Sequence, residues 1–153
     1  DEPQPYNSWG NGAGMRVSPV GMYAKTIDEA LALAAVTACV SHNHPEGVKG
    51  AQAIAACMFL CRQGKDKNEI KKYVEKTFFY NLDRTIADIR QQYEFDVSCQ
   101  GSVPEAIMAF LEGNTFEEVI QLAVSLGGDS DTIACMACAI AACMYPIPEE
   151  IVV

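Results

Sequence analysis

Gly127-Gly128-Asp129-Ser130-Asp131-Thr132-Ile133-Ala134 is the stretch on which the reading of this chain turns. Two glycines free the backbone for a tight bend. Two acids and a hydroxyl then arrive within four positions, and an apolar helical run to Tyr145 follows at once. On a regular helix Asp129 and Thr132 share a face, whereas Asp131 lies two residues from Asp129 and points elsewhere. The three oxygens can converge only where the helix is just beginning. One reading is a cap, with Asp129 or Ser130 at the N-cap and Asp131 favoured by the macrodipole. The other is a cluster of hard oxygen ligands for a cation. A helix N-terminus repels a cation, so the second reading needs negative charge collected from elsewhere too.

Working outward, helix starts are marked along the chain. Thr26-x-x-Glu29, Ser102-x-x-Glu105 and Thr115-x-x-Glu118 fit a capping box, and Asp66 and Asp83 are further N-cap candidates. With the apolar spacing they predict helices over 27–40, 47–63, 67–79, 84–93, 103–112, 116–126 and 131–144. Alternating strand patterns are nearly absent, so the fold class is all-α, a compact multi-helix bundle in one domain over 1–153. Ala30 to Ala38, Ala51 to Cys57 and Ile133 to Cys143 are rich in small residues, which lets helix axes approach closely. These segments should form the innermost layer. Lys65 to Lys76 is a charge run and reads as a solvated helix face.

Half the residues are hydrophobic, enough for a sizeable core. A net charge of −9 opposes a general nucleic-acid or anionic-membrane surface, because such binding needs Lys and Arg to neutralise phosphates. The run from Ile133 to Tyr145 is too short to cross a bilayer and no basic leader with an apolar stretch opens the chain, so a soluble, cytoplasmic protein is expected. The cysteine count is seven, an odd number, and Cys39, Cys57, Cys61, Cys135, Cys138 and Cys143 fall in apolar helical patterns. Reduced core residues account for them better than a disulfide framework. Cys135-Met136-Ala137-Cys138 spells C-x-x-C, but no strand precedes it and no second cysteine pair completes a zinc tetrahedron.

Ser8-Trp9-Gly10-Asn11-Gly12-Ala13-Gly14 is a glycine-rich loop with no strand before it and no helix predicted directly after it, so it lacks the context of a Rossmann or P-loop fingerprint. Its backbone N–H groups can still gather as an anion nest suited to a pyrophosphate. The alternative is a turn, since Asn-Gly is a strong turn signal. Trp9 is the only tryptophan and either stacks in a cleft or packs. His42 and His44 are two apart, share no helical face, and so make a poor pair of ligands for one metal. His42 either contacts a ligand or caps the carboxyl end of the preceding helix; His44 reads as structural.

Asn11-Gly12-Ala13-Gly14-Met15-Arg16-Val17-Ser18-Pro19, Ser41-His42-Asn43-His44-Pro45, Ser102-Val103-Pro104-Glu105-Ala106 and the Asp motif, in that order from about Ser8 to Glu150, resemble the ADP-ribosylglycohydrolase family. The resemblance implies an all-helical domain with two divalent metals, magnesium or manganese, beside an ADP-ribose cleft. It further implies that Asp129 and Asp131 act through a metal-activated water, with Thr132 as third metal ligand. Ser8, Trp9, Gly10, Asn11, Gly12, His42, Gly127 and Gly128 would contact the substrate. Family members carry, before the glycine loop, a further acidic metal motif and the general base; this chain opens next to the loop, at Asp1-Glu2-Pro3-Gln4-Pro5. The expectation is therefore the carboxyl-terminal portion of an ADP-ribosyl hydrolase, inactive alone, self-associating or docking with the N-terminal segment. The alternative is a non-catalytic ADP-ribose-binding or structural helical protein.

Overall fold

Helix starts set the architecture. In the computed structural model, which describes residues 4–152, the chain forms α1 (Gly12–Met15), α2 (Ser18–Tyr23), α3 (Ile27–Cys39), α4 (Pro45–Arg62), α5 (Lys67–Phe78), α6 (Ile86–Arg90), α7 (Cys99–Glu112), α8 (Phe116–Ser125) and α9 (Ser130–Ala141), closed by a 3-10 turn at Glu149–Ile151. Among the described residues there is no strand, only an isolated antiparallel bridge between Gly10 and Ser98. The all-α expectation holds. Among the described residues no helix is long and apolar enough to cross a membrane.

α4 is the axle. It packs against α1, α2, α3, α5, α7 and α9, and the run from Ala53 to Phe59 is buried without interruption. A helix enclosed on all sides can be approached closely only where its side chains are small, which is why this segment is mostly alanine and cysteine. Around it, Ile54, Ile107, Phe110, Ile133, Met136 and Ile140 fill the space between α4, α7 and α9. The closest approach is at Gly50, where an added Cβ would stand 2.4 Å from Cys99 Sγ.

Several expectations are corrected. α1 and α2 are absent from the predicted set, and α1 begins directly within the glycine loop; at four and six residues they are too short to display a helical period. The predicted 103–112 helix begins four residues earlier, because Ser98 caps it by accepting the Gly101 N–H. Pro104 is therefore inside the helix, and Ser102 is not a cap: its hydroxyl donates to Ser98 O at 2.5 Å. Asp83 caps nothing either; it pairs with Lys71 at 2.5 Å, and Thr85 with Asp88 forms the reciprocal capping box of α6, which is shorter than the predicted 84–93. Asp66 is the N-cap of α5, as expected, and forms a reciprocal capping box with Glu69. Of the cysteines assigned to the core, Cys57 and Cys61 are buried, Cys138 and Cys143 half-buried, and Cys39 and Cys135 exposed, since those last two sit on the outward stripes of α3 and α9. Burial pushes the Cys61 and Cys99 thiols up to about 12 and Cys138 to about 11, the opposite of what a reactive C-x-x-C requires.

Glu105, expected at a helix start, is instead buried in α7. One carboxylate oxygen meets Arg84 Nη2 at 2.9 Å and the other has no hydrogen-bond partner among the described residues. Burial raises its carboxyl above the ordinary range, and the Arg84 guanidinium only partly offsets this. Folding therefore takes up a proton, and the stability tied to this group is complete below the unfolded-state value of about 4.3 and declines as pH rises through the raised folded value. Glu105→Gln should flatten that decline in urea unfolding measured across a pH series; an unchanged slope would mean that another group causes it. Gly50→Ala should cost about 1–3 kcal/mol by overpacking against Cys99, read from the same unfolding midpoints.

Candidate functional site

The glycine-rich loop is anchored before it can hold anything else. Ser8 Oγ accepts the Gly10 N–H at 3.1 Å, Asn11 N donates to Val97 O at 2.8 Å, and Cys99 N donates to Trp9 O at 2.9 Å. Cys99 Sγ also donates to Gly10 O at 3.2 Å. The loop thus runs beside the chain entering α7 and turns into α1 at Gly12. Two of the amides expected in an anion nest, those of Gly10 and Asn11, are already bonded within the protein.

The Asp motif is positioned by a reversal. Gly127 and Gly128 have φ of +73° and +62°, a consecutive pair of left-handed residues that turns the chain from α8 into α9. Gly128 lies against the segment after α6: an added Cβ there would be 2.7 Å from Tyr93 Cε1 and 3.2 Å from Glu94 O. Tyr93 is itself fixed, its hydroxyl donating to Gly101 O at 2.7 Å. Asp129 occupies the N-cap place of α9 but makes no capping bond. Its carboxylate is engaged sideways instead. Oδ2 accepts from Asn11 Nδ2 at 2.6 Å, and Oδ1 accepts from the Thr132 hydroxyl at 3.3 Å. The Asn11 amide also donates to Ser102 Oγ at 3.1 Å. Asp131 is exposed, with Oδ1 accepting the Thr132 N–H at 2.9 Å.

His42 is buried beneath the loop, with 8% of its surface exposed. Its Nδ1 lies 2.8 Å from Ser41 Oγ, and its Nε2 is so close to Gly12 that a Cβ there would stand 2.9 Å away. Its ring is bonded to Ser41, not to a carbonyl at the end of α3. Burial, then the Arg16 charge, lower its pKa. His44 is structural, as expected: it is the N-cap of α4, with Nδ1 accepting the Glu46 N–H at 3.1 Å. The Trp9 ring meets His44 edge-on at 5.5 Å and remains 54% exposed.

Ser8, Gly10, Asn11, Gly12, His42, Asp129 and Thr132 are thereby joined by direct contacts into one constellation, with Gly127 and Gly128 leading into it and Asp131 facing outward. Ser41, Ser102, Tyr93 and Arg16 belong to its support; the first two and Arg16 stand within the motifs that carry the resemblance, but the sequence assigns them no such role, Ser102 reads as a helix cap, and Tyr93 carries no signal. A concavity of about 620 Å³ between Cys61, Lys67, Asn114 and Tyr145 shares no residue with it. As a cation site, Asp129, Asp131 and Thr132 offer two carboxylates and a hydroxyl, the right chemistry for a hard divalent ion but half of an octahedral shell. Among the described residues no group of three or more His, Cys, Asp or Glu is placed to hold a metal. The donor set fits such an ion in kind and incompletely in number.

The family model described as ADP-ribosylglycohydrolase matches residues 1–152. An uncharacterized protein of Archaeoglobus fulgidus is 30% identical over 155 residues, covering 91% of this chain and 51% of that protein. ADP-ribosylarginine hydrolase Tri1 of Pseudomonas putida is 26% identical, covering 90% and 39%, and ADP-ribosylhydrolase ARH3 of Homo sapiens is 25% identical, covering 94% and 53%. A solved structure titled ADP-ribosylglycohydrolase-related protein complex superposes with a TM-score of 0.78 at 25% identity, over 95% of this chain and 55% of that one. The chain spans about half the length of the curated relatives it matches.

The two glycines of the reversal should separate on substitution. Gly127→Ala meets open space and carries only the left-handed strain of about 1–2 kcal/mol. Gly128→Ala adds a collision with Tyr93 worth about 1–3 kcal/mol more. Equal losses in urea unfolding would contradict the packing of Tyr93 against the turn.

Proposed function

Because the chain belongs to the ADP-ribosylglycohydrolase family, we propose that it forms the ADP-ribose-gripping portion of an ADP-ribosyl hydrolase and contributes one side of a divalent-cation site. The observation that carries this reading is the 2.6 Å hydrogen bond from Asn11 to Asp129, which brings the glycine-rich loop and the acidic motif to the same place. Positioning a sugar-phosphate ligand and an oxygen cluster side by side is what cleavage at the ribose carbon demands.

In this reading Asp129, Asp131 and Thr132 hold magnesium or manganese, and the family's second ion draws its ligands from outside this chain. Such a cation, when bound, supplies Lewis acidity and an acidified water. The chain's own residues do the positioning. Asn11 and Thr132 fix the Asp129 carboxylate, Ser8, Gly10 and Gly12 shape the wall toward the phosphates, His42 directs its Nε2 to that wall, and Trp9 offers an exposed ring for stacking. Gly127, with open space around it, admits the ligand close to the backbone, while Gly128 holds the turn against Tyr93. The exposed Met15, Met22 and Tyr23 of α1 and α2, with Val36 and Val40 of α3, support docking of the further length that the relatives possess. A binding function without hydrolysis is favoured for the isolated chain by its count of only three candidate ligand side chains, Asp129, Asp131 and Thr132.

Two outcomes follow. Residues 1–153 alone, with ample magnesium or manganese, should release no ADP-ribose from an ADP-ribosylated protein, while calorimetry should still detect ADP-ribose binding. Robust metal-dependent turnover from a preparation free of longer product would overturn the incomplete-site reading. In a protein that contains the remaining length, Asp131→Ala should abolish metal-dependent hydrolysis yet lower stability by only about 0.3–1 kcal/mol, the contribution of an acid in the first helical turn. Normal turnover in that variant would leave Asp131 as a helix-start residue and nothing more.

A further inference from the structure

His42 faces the glycine-rich loop with a nitrogen whose hydrogen-bonding character is decided elsewhere. Behind it, Arg16 Nη2 donates to Thr37 O at 3.1 Å and to Ser41 Oγ at 2.9 Å. Ser41 Oγ in turn lies 2.8 Å from His42 Nδ1. A guanidinium has no acceptor, so the first contact runs one way only: arginine gives, serine receives. The serine hydroxyl then has one hydrogen to place, and the acceptor within reach is Nδ1. The opposite arrangement would fill both lone pairs of the serine oxygen, with Arg16 and an Nδ1–H as donors, and turn the serine hydrogen away from the ring. It would leave the serine hydrogen with no acceptor among the described residues.

We propose that the Arg16–Ser41 pair is a positioning device that holds His42 as the neutral Nε2–H tautomer, so that the ring presents a hydrogen-bond donor to an acceptor oxygen of a ligand seated at Gly10–Gly12. The burial of the ring and the nearby arginine charge act in the same direction, since both disfavour imidazolium. Such a donor selects a ligand rich in acceptors, a phosphate or sugar hydroxyl, and repels another donor or a cation. Arg16 touches no ligand in this account; it acts through Ser41. The inference rests on the ligand site proposed above for its last step only, because the tautomer belongs to the free protein.

Nitrogen-15 spectra of histidine-labelled protein at neutral pH decide it. The expected result is an unprotonated, pyridine-type Nδ1 and a protonated, pyrrole-type Nε2 for His42. Ser41→Ala, and separately Arg16→Met, should shift the ring toward a mixture of tautomers with helicity retained. Ser41→Ala should also weaken ADP-ribose binding about five- to tenfold, the worth of one oriented hydrogen bond. A protonated Nδ1 in the wild type, or an unaltered tautomer in both variants, overturns the proposal. ADP-ribose binding that leaves the His42 Nε2 signals unmoved overturns the donor role. Absence of ADP-ribose binding altogether would instead defeat the ligand reading, with the tautomer still decided by the free-protein spectra.

Discussion

A single charge-assisted hydrogen bond, from the Asn11 amide to the Asp129 carboxylate at 2.6 Å, joins two ends of the chain 118 residues apart. Bonds of this kind, with one ionised partner, are shorter and stronger than neutral ones. Everything on either side is arranged so that it can form. Asn11 is placed by its backbone bond to Val97 and turned by Ser102, whose own hydrogen is committed to Ser98. Asp129 is placed by two left-handed glycines, the second of them wedged against Tyr93, and makes no bond that caps its own helix. An acid at a helix start that does not cap gives up a stabilising contact of about 1 kcal/mol. Its orientation is therefore set by Asn11 and Thr132, not by the helix it introduces.

The core serves that constraint through close helix approach. Gly50 against Cys99, with the small side chains of α4, lets α7 come near enough for Ser98 and Ser102 to reach the loop. Larger residues along α4 would separate the elements that carry Asn11 from those that carry Asp129. The same enclosure explains the thiols, which burial keeps protonated.

Long helices with marked starts were legible in the sequence: Thr26 and Thr115 each accept the amide three residues on, where their spacing to a glutamate said they would, and Asp66 caps α5 as its residue type suggested. Where two caps competed, local pattern was insufficient. Ser98 prevailed over Ser102 because Ser102 is buried against Ser98 and Asn11, a fact of tertiary structure. α1 and α2 escaped because short helices made partly of glycine carry neither period nor propensity. At the site, the loop, the histidine and the acidic motif were each visible as unusual residue combinations. Their gathering at one cleft is implied by the resemblance, but the direct bonds between them are not, and neither are the supporting roles of Arg16, Ser41 and Tyr93, which only the folded chain displays.

The claim on which the account depends is that Asn11 and Asp129 are energetically coupled and so bind loop and acidic motif into one site. A double-mutant cycle of Asn11→Ala and Asp129→Ala, read by urea unfolding of residues 1–153, tests it directly. The account predicts a coupling of about 1.5–3 kcal/mol, the range for a hydrogen bond to a charged group. Losses that add to within about 0.3–0.5 kcal/mol, as they do for independent sites, would contradict it.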